Sequence, residues 1–372
     1  MNIGVDIRAL TPEKRSGVGS YIFEALQNII QLDHDNQYYL LSSGLKNKDY
    51  FPSELEADNV HKVHIAWPNK ILNIFLFFNL GKDLSKFFPV KLDLLWLPNI
   101  NFVKLDKETP LLLTIHDLSF LHSKNFYSLK RKWWHKLVNV KFLVERAKYI
   151  ITVSNNTKRD VMRFFTVNEE KIRVIYPGIQ YTPMDFVKAK EMTRDLGIAD
   201  NFFLFLGTLE PRKNIISIIK AFDRYHLEYP ETELVLVGNK GWMYHKLLLA
   251  IKKRPYVKYF GFIKGDIKDA LYFLAKALIW PSFYEGFGFP PLEATMHAKP
   301  VITSYKTSLP EIMQKQAMYV DPYNVSEIYQ LMKILTDDKE FAQKIQEQAK
   351  NFSFFKWSQQ AKIIIDLFKK CV

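Results

Sequence analysis

Short apolar runs alternate along this chain with longer windows in which apolar residues recur every three or four positions. The runs have the length of β-strands, and most are almost continuously apolar, as expected for parallel strands covered on both faces. A first series comprises Ile3–Ile7, Tyr38–Leu41, Val60–Ala66, Leu92–Leu97, Leu111–Ile115, Ile150–Val153 and Ile172–Ile175. A second series comprises Phe202–Leu206, Glu233–Val237, Val257–Phe260, Ala277–Trp280, Val301–Thr303 and Met318–Val320.

The windows between the runs have helical periodicity, most clearly over Tyr21–Ile30, Ile215–Tyr225 and Ser326–Leu335. Regular β–α alternation predicts an α/β fold with doubly wound parallel sheets. The alternation lapses over Tyr176–Asn201, which contains prolines, a glycine and many charges. We therefore predict two Rossmann-like domains, residues 1–176 and 177–355, followed by an amphipathic helix over residues 356–372.

Composition agrees with two globular domains. The chain has 372 residues, of which 48% are hydrophobic and 24% charged, and this excludes a disordered, collagen-like or coiled-coil protein. Its one cysteine, Cys371, excludes an internal disulfide and a cysteine-rich zinc site. Asp6 and Arg8 interrupt the N-terminal apolar stretch, so we expect no signal peptide, and the longest apolar runs, of about ten residues, are too short for a membrane span. These features predict a soluble, reduced, intracellular protein.

The net charge of +13 is concentrated in residues 70–148, which carry +8. The same region is rich in aromatic residues, notably over residues 74–78, 86–88 and 130–136. Cations beside aromatic rings suit the surface of an anionic membrane. A buried helix face around Trp134, Leu137 and Val138 is the favoured alternative. Single-stranded nucleic acid is disfavoured because no RNA- or DNA-binding signature accompanies the region.

The most informative segment is WPSFYEGFGFPPLEA, residues 280–294, which is typical of a strand, a tight loop and a helix. Gly286 and Gly288 permit close approach of a ligand, and the N–H groups at the helix start can receive hydroxyl or phosphate oxygens. Glu285 is expected at the carboxyl end of the strand, where open α/β sheets bind ligands, and Glu293 near the first helical turn. The two carboxylates can hold the hydroxyls of two sugar rings, whereas a structural turn would not require Glu285.

The segment FLGTLEPRKN, residues 205–214, also lies between a strand and a helix. Arg212 and Lys213 can clamp two phosphates, the arginine through paired hydrogen bonds and the lysine as a point charge. A solvated helical turn is the alternative. Because cations oppose the dipole at a helix N-terminus, placing this pair there costs stability unless an anion binds.

Two weaker features lie in the first series. Gly17 and Gly19 belong to a predicted loop, RSGVGS, but Ile22 stands where a dinucleotide fingerprint has its third glycine. The loop either passes close to a phosphate or is an ordinary connection. His116 and Asp117 follow a strand, where the imidazole can bond a substrate and the carboxylate can orient the ring, or both can be structural.

Taken in order, these segments resemble a retaining glycosyltransferase of family 4, and the resemblance covers essentially the whole chain. Its most specific parts are FLGTLEPRKN, EGFGFPPLE and LVGNKGW, the last at residues 236–242. The resemblance implies the GT-B architecture of two facing Rossmann-like domains, the first binding the acceptor and the second a nucleotide sugar. It also implies that the C-terminal helix returns to the first domain.

The resemblance further implies roles for the candidate residues. Glu285 would contact the donor sugar, together with backbone N–H groups near Gly288 and Phe289, and Glu293 would hold the nucleotide ribose. The other implied contacts are Arg212 and Lys213 with the pyrophosphate, Gly17 and Gly19 with the donor phosphates, and His116 beside the donor hexose. Asp117, which we place among the donor-binding residues, and the segment Ser308–Glu311 also match positions of the family pattern.

One stretch departs from the family pattern, because His297 and Lys299 replace small residues after Glu293. The donor is therefore open between GDP-mannose and a UDP-hexose, with mannose favoured. Two cationic side chains can replace a divalent metal, and the only D-x-D match, Asp33–Asp35, is typical of a turn. We predict a metal-independent enzyme that needs no cofactor besides its donor.

The predicted function is transfer of a hexose to a glycan or lipid-linked glycan in cell-surface polysaccharide synthesis. The enzyme would be cytoplasmic, with residues 70–148 as a candidate contact at the inner membrane face. Three alternatives stay open: a sugar-nucleotide epimerase or phosphorylase of the same fold, an NAD-dependent oxidoreductase, which the broken glycine fingerprint disfavours, and a membrane-surface module without catalysis.

Overall fold

The computed structural model describes residues 1–10, 17–44, 51–77, 83–122, 127, 137–263 and 265–372. The chain forms two compact units. Unit 1 comprises Met1–His122, Leu129–Gly178 and Phe355–Val372, and unit 2 comprises Ser123–Ser128 and Ile179–Phe354. The main part of unit 2 begins at Ile179, directly after Gly178 of unit 1, within the stretch where the β–α alternation lapses.

Unit 1 contains one sheet of seven parallel strands in the order β3-β2-β1-β4-β5-β6-β7. The strands are β1 Asn2–Asp6, β2 Gln37–Ser43, β3 Val60–Ile65, β4 Leu94–Leu97, β5 Leu111–Ile115, β6 Tyr149–Thr152 and β7 Ile172–Val174. Its described helices before the crossing are α1 Gly17–Leu32, α2 Asn69–Phe77, α3 Ser119–His122, α4 Val140–Arg146 and α5 Asn155–Phe164.

Unit 2 contains six parallel strands in the order β10-β9-β8-β11-β12-β13. The strands are β8 Phe202–Leu206, β9 Glu233–Val237, β10 Val257–Tyr259, β11 Ala277–Trp280, β12 Val301–Ser304 and β13 Met318–Val320. The helices are α6 Phe186–Thr193, α7 Ile215–Glu228, α8 His245–Lys252, α9 Gly265–Leu274, α10 Phe289–Met296, α11 Leu309–Met313, α12 Val325–Asp337 and α13 Lys339–Lys350. Every apolar run predicted as a strand forms one, and the α/β prediction is confirmed.

The C-terminal helix α14, Trp357–Cys371, belongs to unit 1 and packs against α1. The ring of Trp357 lies 5.4 Å from that of Tyr21, and the ring of Phe368 lies 5.6 Å from that of Trp96. A Cβ at Gly178 would stand 2.3 Å from the backbone nitrogen of Trp357. Only glycine allows the chain to pass this close to the start of α14.

The strand order of each sheet reverses once. The reversal falls between β1 and β4 in unit 1 and between β8 and β11 in unit 2. At such a switch point the loops leaving the two neighbouring strands run in opposite directions and open a crevice, which is where open α/β sheets bind ligands.

Candidate functional site

The loops that follow β8 and β11 meet at the switch point of unit 2. The backbone N–H of Phe283 donates to the carbonyl of Arg212 at 2.9 Å. The side-chain amide of Asn214 donates to the carbonyl of Pro281 at 3.1 Å. These bonds join the two loops directly, so side chains far apart in sequence are brought together there.

Lys213 is buried, with 8% of its surface exposed, and its ammonium faces the Glu285 carboxylate. Its Nζ lies 2.6 Å from Oε1 and 2.8 Å from Oε2 of Glu285. The same nitrogen lies 4.7 Å from the centre of the Trp280 ring, within the range of a cation–π contact. The aromatic face and the carboxylate together fix the position of this cation.

Arg212 adds a second cation to the same carboxylate. Its Nε donates to Glu210 Oε1 at 2.8 Å, and its Nη1 lies 3.4 Å from Glu285 Oε2 and 3.2 Å from the carbonyl of Tyr284. Both cations therefore have carboxylate partners supplied by the chain. Glu210 and Glu285 thus offset part of the charge that the pair places at this turn, and binding of a phosphate anion there stays a prediction.

The charges around Glu285 set its protonation. Burial opposes ionisation, but the positive charges of Lys213 and Arg212 and the hydrogen bonds from Lys213 hold the pKa of Glu285 below its ordinary value. Burial and the charge of Arg212 lower the pKa of Lys213. An ionised carboxylate of this kind accepts hydrogen bonds from hydroxyl groups, and the two cations can bind phosphate oxygens.

The predicted helix after the glycine-rich loop is α10, which begins at Phe289 with two prolines in its first turn. Gly288 precedes it with a φ of 111°, a backbone conformation that favours glycine. A Cβ there would also stand 2.9 Å from Leu309 Cδ2. Because Pro290 and Pro291 have no N–H, only Phe289 and Leu292 carry donors in the first turn of α10, just after the Glu285 loop.

Glu293 lies in the second turn of α10, and two residues of α9 contact its carboxylate. Lys268 Nζ donates to Oε1 at 2.9 Å, and the Tyr272 hydroxyl donates to Oε2 at 2.8 Å. Sequence reasoning missed both partners. Their spacing of four residues on a helix was the available signal, since it places both side chains on one face.

The departure from the family pattern lies beside this contact. His297, at the end of α10, is buried, and its Nε2 lies 3.8 Å from Asp269 Oδ1 on α9. Lys299 Nζ lies 5.5 Å from the centre of the Phe273 ring, also on α9. Both residues therefore pack against the helix that positions Glu293.

The glycines of unit 1 lie in a helix instead of the predicted loop. α1 begins at Gly17, so Gly17 and Gly19 form its first turn, while Arg15 and Ser16 lie outside the described residues. Gly17 is exposed and Gly19 is buried. Glycine is unfavourable inside helices but is tolerated in a first turn, where fewer backbone bonds depend on it.

His116 lies at the carboxyl end of β5, as predicted, and its ring is held by neighbours. Its Nε2 lies 2.8 Å from the carbonyl of Pro98 and must donate to it, and the ring meets that of Tyr21 edge-on at 4.6 Å. Burial lowers the pKa of His116, although the bond to Pro98 and the charge of Asp117 oppose that shift. The Asp117 carboxylate accepts bonds from the backbone and hydroxyl of Ser119 at the start of α3.

A buried ion pair at the switch point of unit 1 was not among the predicted site residues. Arg8 Nη2 lies 2.7 Å from Asp6 Oδ2, and the same nitrogen donates to the carbonyl of Phe102 at 3.0 Å. Asn101 donates to Asp6 at 3.2 Å. The DIR tripeptide after the first strand was the available signal, because it places two opposite charges at the end of a buried strand.

The prediction that Asp33–Asp35 forms a turn is confirmed. Asp33 Oδ1 accepts from the backbone N–H groups of Asp35 and Asn36, and its Oδ2 accepts from the Tyr38 hydroxyl. Within the described ranges, histidine, cysteine, aspartate and glutamate side chains form no group of three suited to a metal ion.

The basic aromatic region is described only in part. Residues 78–82, 123–126 and 128–136 lie outside the described residues, and so does Trp134 of the proposed buried face. Of that face, Val138 is buried and Leu137 is exposed. Within the described ranges, every helix is too short or too polar to span a bilayer.

Two doubly wound parallel sheets in one chain agree with the GT-B fold, which solved glycosyltransferase structures share with this chain. Two family models match consecutive parts of the chain: Glycosyltransferase Family 4 over residues 15–182 and Glycosyl transferases group 1 over residues 189–352. Together they cover most of both units. The chain belongs to the group 1 and family 4 glycosyltransferases.

Curated relatives agree with this membership, and a solved structure shares the fold. The O-antigen chain mannosyltransferase B of Escherichia coli is 30% identical over 237 residues, which are 60% of this chain and 61% of that protein. The O-antigen chain mannosyltransferase RfbU of Salmonella typhimurium is 30% identical over 217 residues, 56% of each chain. The chain thus matches less than two thirds of the length of these relatives. Anabaena HepE in complex with UDP-glucose shares the fold, with a TM-score of 0.73, 16% identity and complete coverage of both chains.

Proposed function

We propose that the protein is a glycosyltransferase that moves a hexose from a nucleoside diphosphate sugar to a glycan acceptor. The observation that carries this proposal is the buried contact of Glu285 with Lys213 and Arg212 at the switch point of unit 2. A carboxylate suits the hydroxyl groups of a sugar, and two adjacent cations suit a diphosphate. The sugar and the diphosphate of such a donor therefore both have complementary side chains in the loops that follow β8 and β11.

In the proposed reaction, the bond between C1 of the sugar and the β-phosphate oxygen breaks, and a bond forms between C1 and an acceptor hydroxyl oxygen. The departing diphosphate gains negative charge and takes the proton of the acceptor hydroxyl. Arg212 and Lys213 stabilise this charge, and one oriented donor of this kind contributes about 3–4 kcal/mol to lowering the barrier. As the cations turn to the phosphates, Glu285 is released to bind sugar hydroxyls.

We further propose that transfer retains the configuration at C1 and needs no divalent metal. Attack on the face from which the diphosphate leaves allows the leaving group itself to accept the proton, so no second carboxylate is needed as a nucleophile. The two cations act on the developing phosphate charge, which is the role a metal ion has in other transferases.

The proposed donor is GDP-mannose, with a UDP-hexose as the second candidate. Two curated relatives at 30% identity are O-antigen chain mannosyltransferases, which supports both the sugar and a role in surface polysaccharide synthesis. We propose that Glu293, held by Lys268 and Tyr272, binds the ribose hydroxyls of the nucleotide. This assignment uses the remaining carboxylate of the segment that also contains Glu285.

The test is an assay of the purified protein with a panel of nucleotide sugars and glycan acceptors, with and without EDTA. We expect a glycoside product of retained configuration that forms in EDTA, and loss of activity in Lys213→Ala and Glu285→Gln. The exposed changes Lys188→Ala and Glu347→Gln are matched controls in unit 2. Epimerisation or phosphorolysis of the donor without a transfer product would contradict the proposal, and so would wild-type turnover in both site variants.

We also propose that the enzyme works at an anionic membrane surface, where a lipid-linked acceptor would be available. Helix α2 and the preceding Trp67 leave apolar side chains exposed on one face while Leu72 and Leu76 are buried. The exposed fractions are 44% for Trp67, 46% for Ile71, 56% for Ile74 and 38% for Phe75. Apolar side chains at this spacing can enter the headgroup region of a bilayer.

Two asparagines tie this helix to the carboxyl edge of the sheet. Asn69 accepts from the Ser43 hydroxyl and donates to the carbonyl of Arg8, and Asn73 accepts from the Arg8 guanidinium at 3.4 Å. The exposed face is therefore held at the end of the sheet where ligands bind. Self-association through it would bring together two regions that each carry +8, so charge favours an anionic lipid surface.

Co-sedimentation with vesicles tests this surface. We expect binding to vesicles that contain phosphatidylglycerol, little binding to pure phosphatidylcholine, and loss of binding in Ile71→Asn/Ile74→Asn. Leu227→Asn, which replaces an equally apolar side chain that is 85% exposed in unit 2, is the control. Dimerisation through this face, or equal binding by the variant and the control, would contradict the proposal without affecting the transferase assay on a soluble acceptor.

A further inference from the structure

Four hydroxyl groups at the end of β12 and in the turn after it bond to the backbone of the Glu285 loop. The first two lie on the strand itself. The Thr303 hydroxyl donates to the carbonyl of Trp280 at 2.9 Å, and the Ser304 hydroxyl donates to the carbonyl of Ser282 at 2.6 Å. The loop is thereby held from the point where it leaves β11.

The other two hydroxyls lie on either side of the Glu285 backbone. The N–H of Glu285 donates to Thr307 Oγ1 at 2.9 Å. The Ser308 hydroxyl lies 3.0 Å from the carbonyl oxygens of both Glu285 and Phe287 and donates towards them. Two consecutive residues of one turn therefore fix the amide on each side of the Glu285 Cα.

The turn that supplies these bonds is strained. Thr307 has a φ of 57°, in the left-handed region that a β-branched side chain rarely adopts. Such a conformation persists only where surrounding contacts enforce it, and it is found most often at functional sites. Relaxing the turn would move the Thr307 and Ser308 hydroxyls away from the Glu285 backbone.

We propose that Thr307 and Ser308 are positioning residues, which hold the Glu285 backbone so that its carboxylate meets the donor sugar when Lys213 and Arg212 turn to the phosphates. This inference rests on the proposed function. While the donor is absent, the bonds from Lys213 hold the carboxylate. Once Lys213 bonds to the phosphates instead, the hydrogen bonds from Thr307 and Ser308 to the backbone keep the Glu285 side chain directed towards the donor sugar.

A positioning role and a purely structural role predict different effects on nucleotide binding and on turnover. Within the described residues, the hydroxyls of Thr307 and Ser308 bond only to the Glu285 loop, whereas the diphosphate would bind Arg212 and Lys213. Loss of a positioning hydroxyl should therefore lower kcat and leave the affinity for nucleoside diphosphate unchanged. Loss of a side chain needed only for folding would lower kcat, the affinity for nucleoside diphosphate and the midpoint of thermal unfolding together.

The experiment compares Thr307→Val, Thr307→Ser and Ser308→Ala in the full chain. We expect kcat to fall about 10–100-fold in Thr307→Val and Ser308→Ala, because a small misplacement of a reacting group costs this much. Thr307→Ser keeps the acceptor oxygen and should restore wild-type kcat. Thr193→Val is the control, since it removes a buried hydroxyl of unit 2 that bonds the carbonyl of Ala189.

The affinity for GDP and UDP, measured by calorimetry, completes the test and should match wild type in all variants. A kcat in Thr307→Val and Ser308→Ala equal to that of Thr193→Val would overturn the positioning role, as would a parallel loss of nucleotide affinity. If the wild-type protein transfers no sugar at all, the proposed function itself fails. That result is distinct from an active wild type with unaffected variants.

Discussion

The ammonium of Lys213 lies between the two carboxylate oxygens of Glu285, at 2.6 and 2.8 Å, although 72 residues separate them in sequence. Both side chains are buried, with 9% and 6% of their surfaces exposed. A buried ion pair contributes little net stability, because the loss of hydration offsets most of the attraction. The geometry instead places one anion and one cation in contact, and a charged ligand can separate them.

Removing one member of this pair should destabilise the protein more than removing both. Lys213→Met leaves Glu285 buried beside Arg212 alone, and breaking a buried pair in this way costs about 3–5 kcal/mol. Lys213→Met/Glu285→Leu removes both charges and should recover part of that loss. The free energy of unfolding in urea measures this, and a double variant less stable than the single one would contradict the expectation.

The partners of Glu293 should affect nucleotide binding. Tyr272→Phe removes the hydroxyl that fixes one carboxylate oxygen, which leaves the side chain freer to rotate. We expect nucleoside diphosphate to bind more weakly by about 1 kcal/mol, the typical value of one hydrogen bond. Calorimetric titration measures the change, and Tyr319→Phe, whose hydroxyl bonds the carbonyl of Gln314, is the control. Equal affinity in the two variants would exclude a role for Tyr272 in aligning Glu293.

His116 should make stability depend on pH. Burial lowers the pKa of its imidazole below the ordinary 6.5, so the unfolded chain binds a proton that the folded one does not. Stability therefore rises with pH up to about 6.5 and is lost as the pH falls below it. His116→Asn should flatten this dependence below about pH 6.5, and the exposed variant His34→Gln is the control. Urea unfolding across that range gives the slopes, and identical slopes would contradict the assignment.

Gly178→Ala should loosen the C-terminal helix. The added methyl group would stand 2.3 Å from the Trp357 backbone nitrogen, which neither backbone can accommodate without moving. We expect a loss of about 1–3 kcal/mol in stability, as for other overpacked sites. Gly265→Ala is the control, because no atom lies within 4 Å of its added Cβ. Thermal unfolding measures both, and limited proteolysis should cut Gly178→Ala first near α14.

The sequence predicted the strands well because each is a short apolar run, such as Leu111–Ile115, whose burial on both faces leaves little ambiguity. It failed at the start of α1, since Gly17 and Gly19 count against a helix on propensity alone. It also could not identify the counterions of Arg212 and Lys213. Many carboxylates are available along the chain, and only the pairing of β8 with β11 places Glu285 beside them.

The supporting residues gave weaker signals. Ser308 begins a segment that matches the family pattern but carries no assigned role, and Thr307 is an ordinary turn residue in sequence. Their bonds to the Glu285 loop depend on the parallel pairing of β11 with β12. Lys268 and Tyr272 have helical spacing, as do many surface residues. Side chains that act through another residue carry no chemical pattern of their own, and only their placement distinguishes them.

The return of α14 to unit 1 has a consequence for synthesis on the ribosome. Residues 355–372 complete unit 1, yet they are translated after all of Ile179–Phe354. Unit 2 can therefore fold while Trp357 and Phe368 do not yet cover the surface around Tyr21 and Trp96. Unit 1 is translated first but completed last. A polypeptide released before residue 355 would expose that surface to chaperones and proteases.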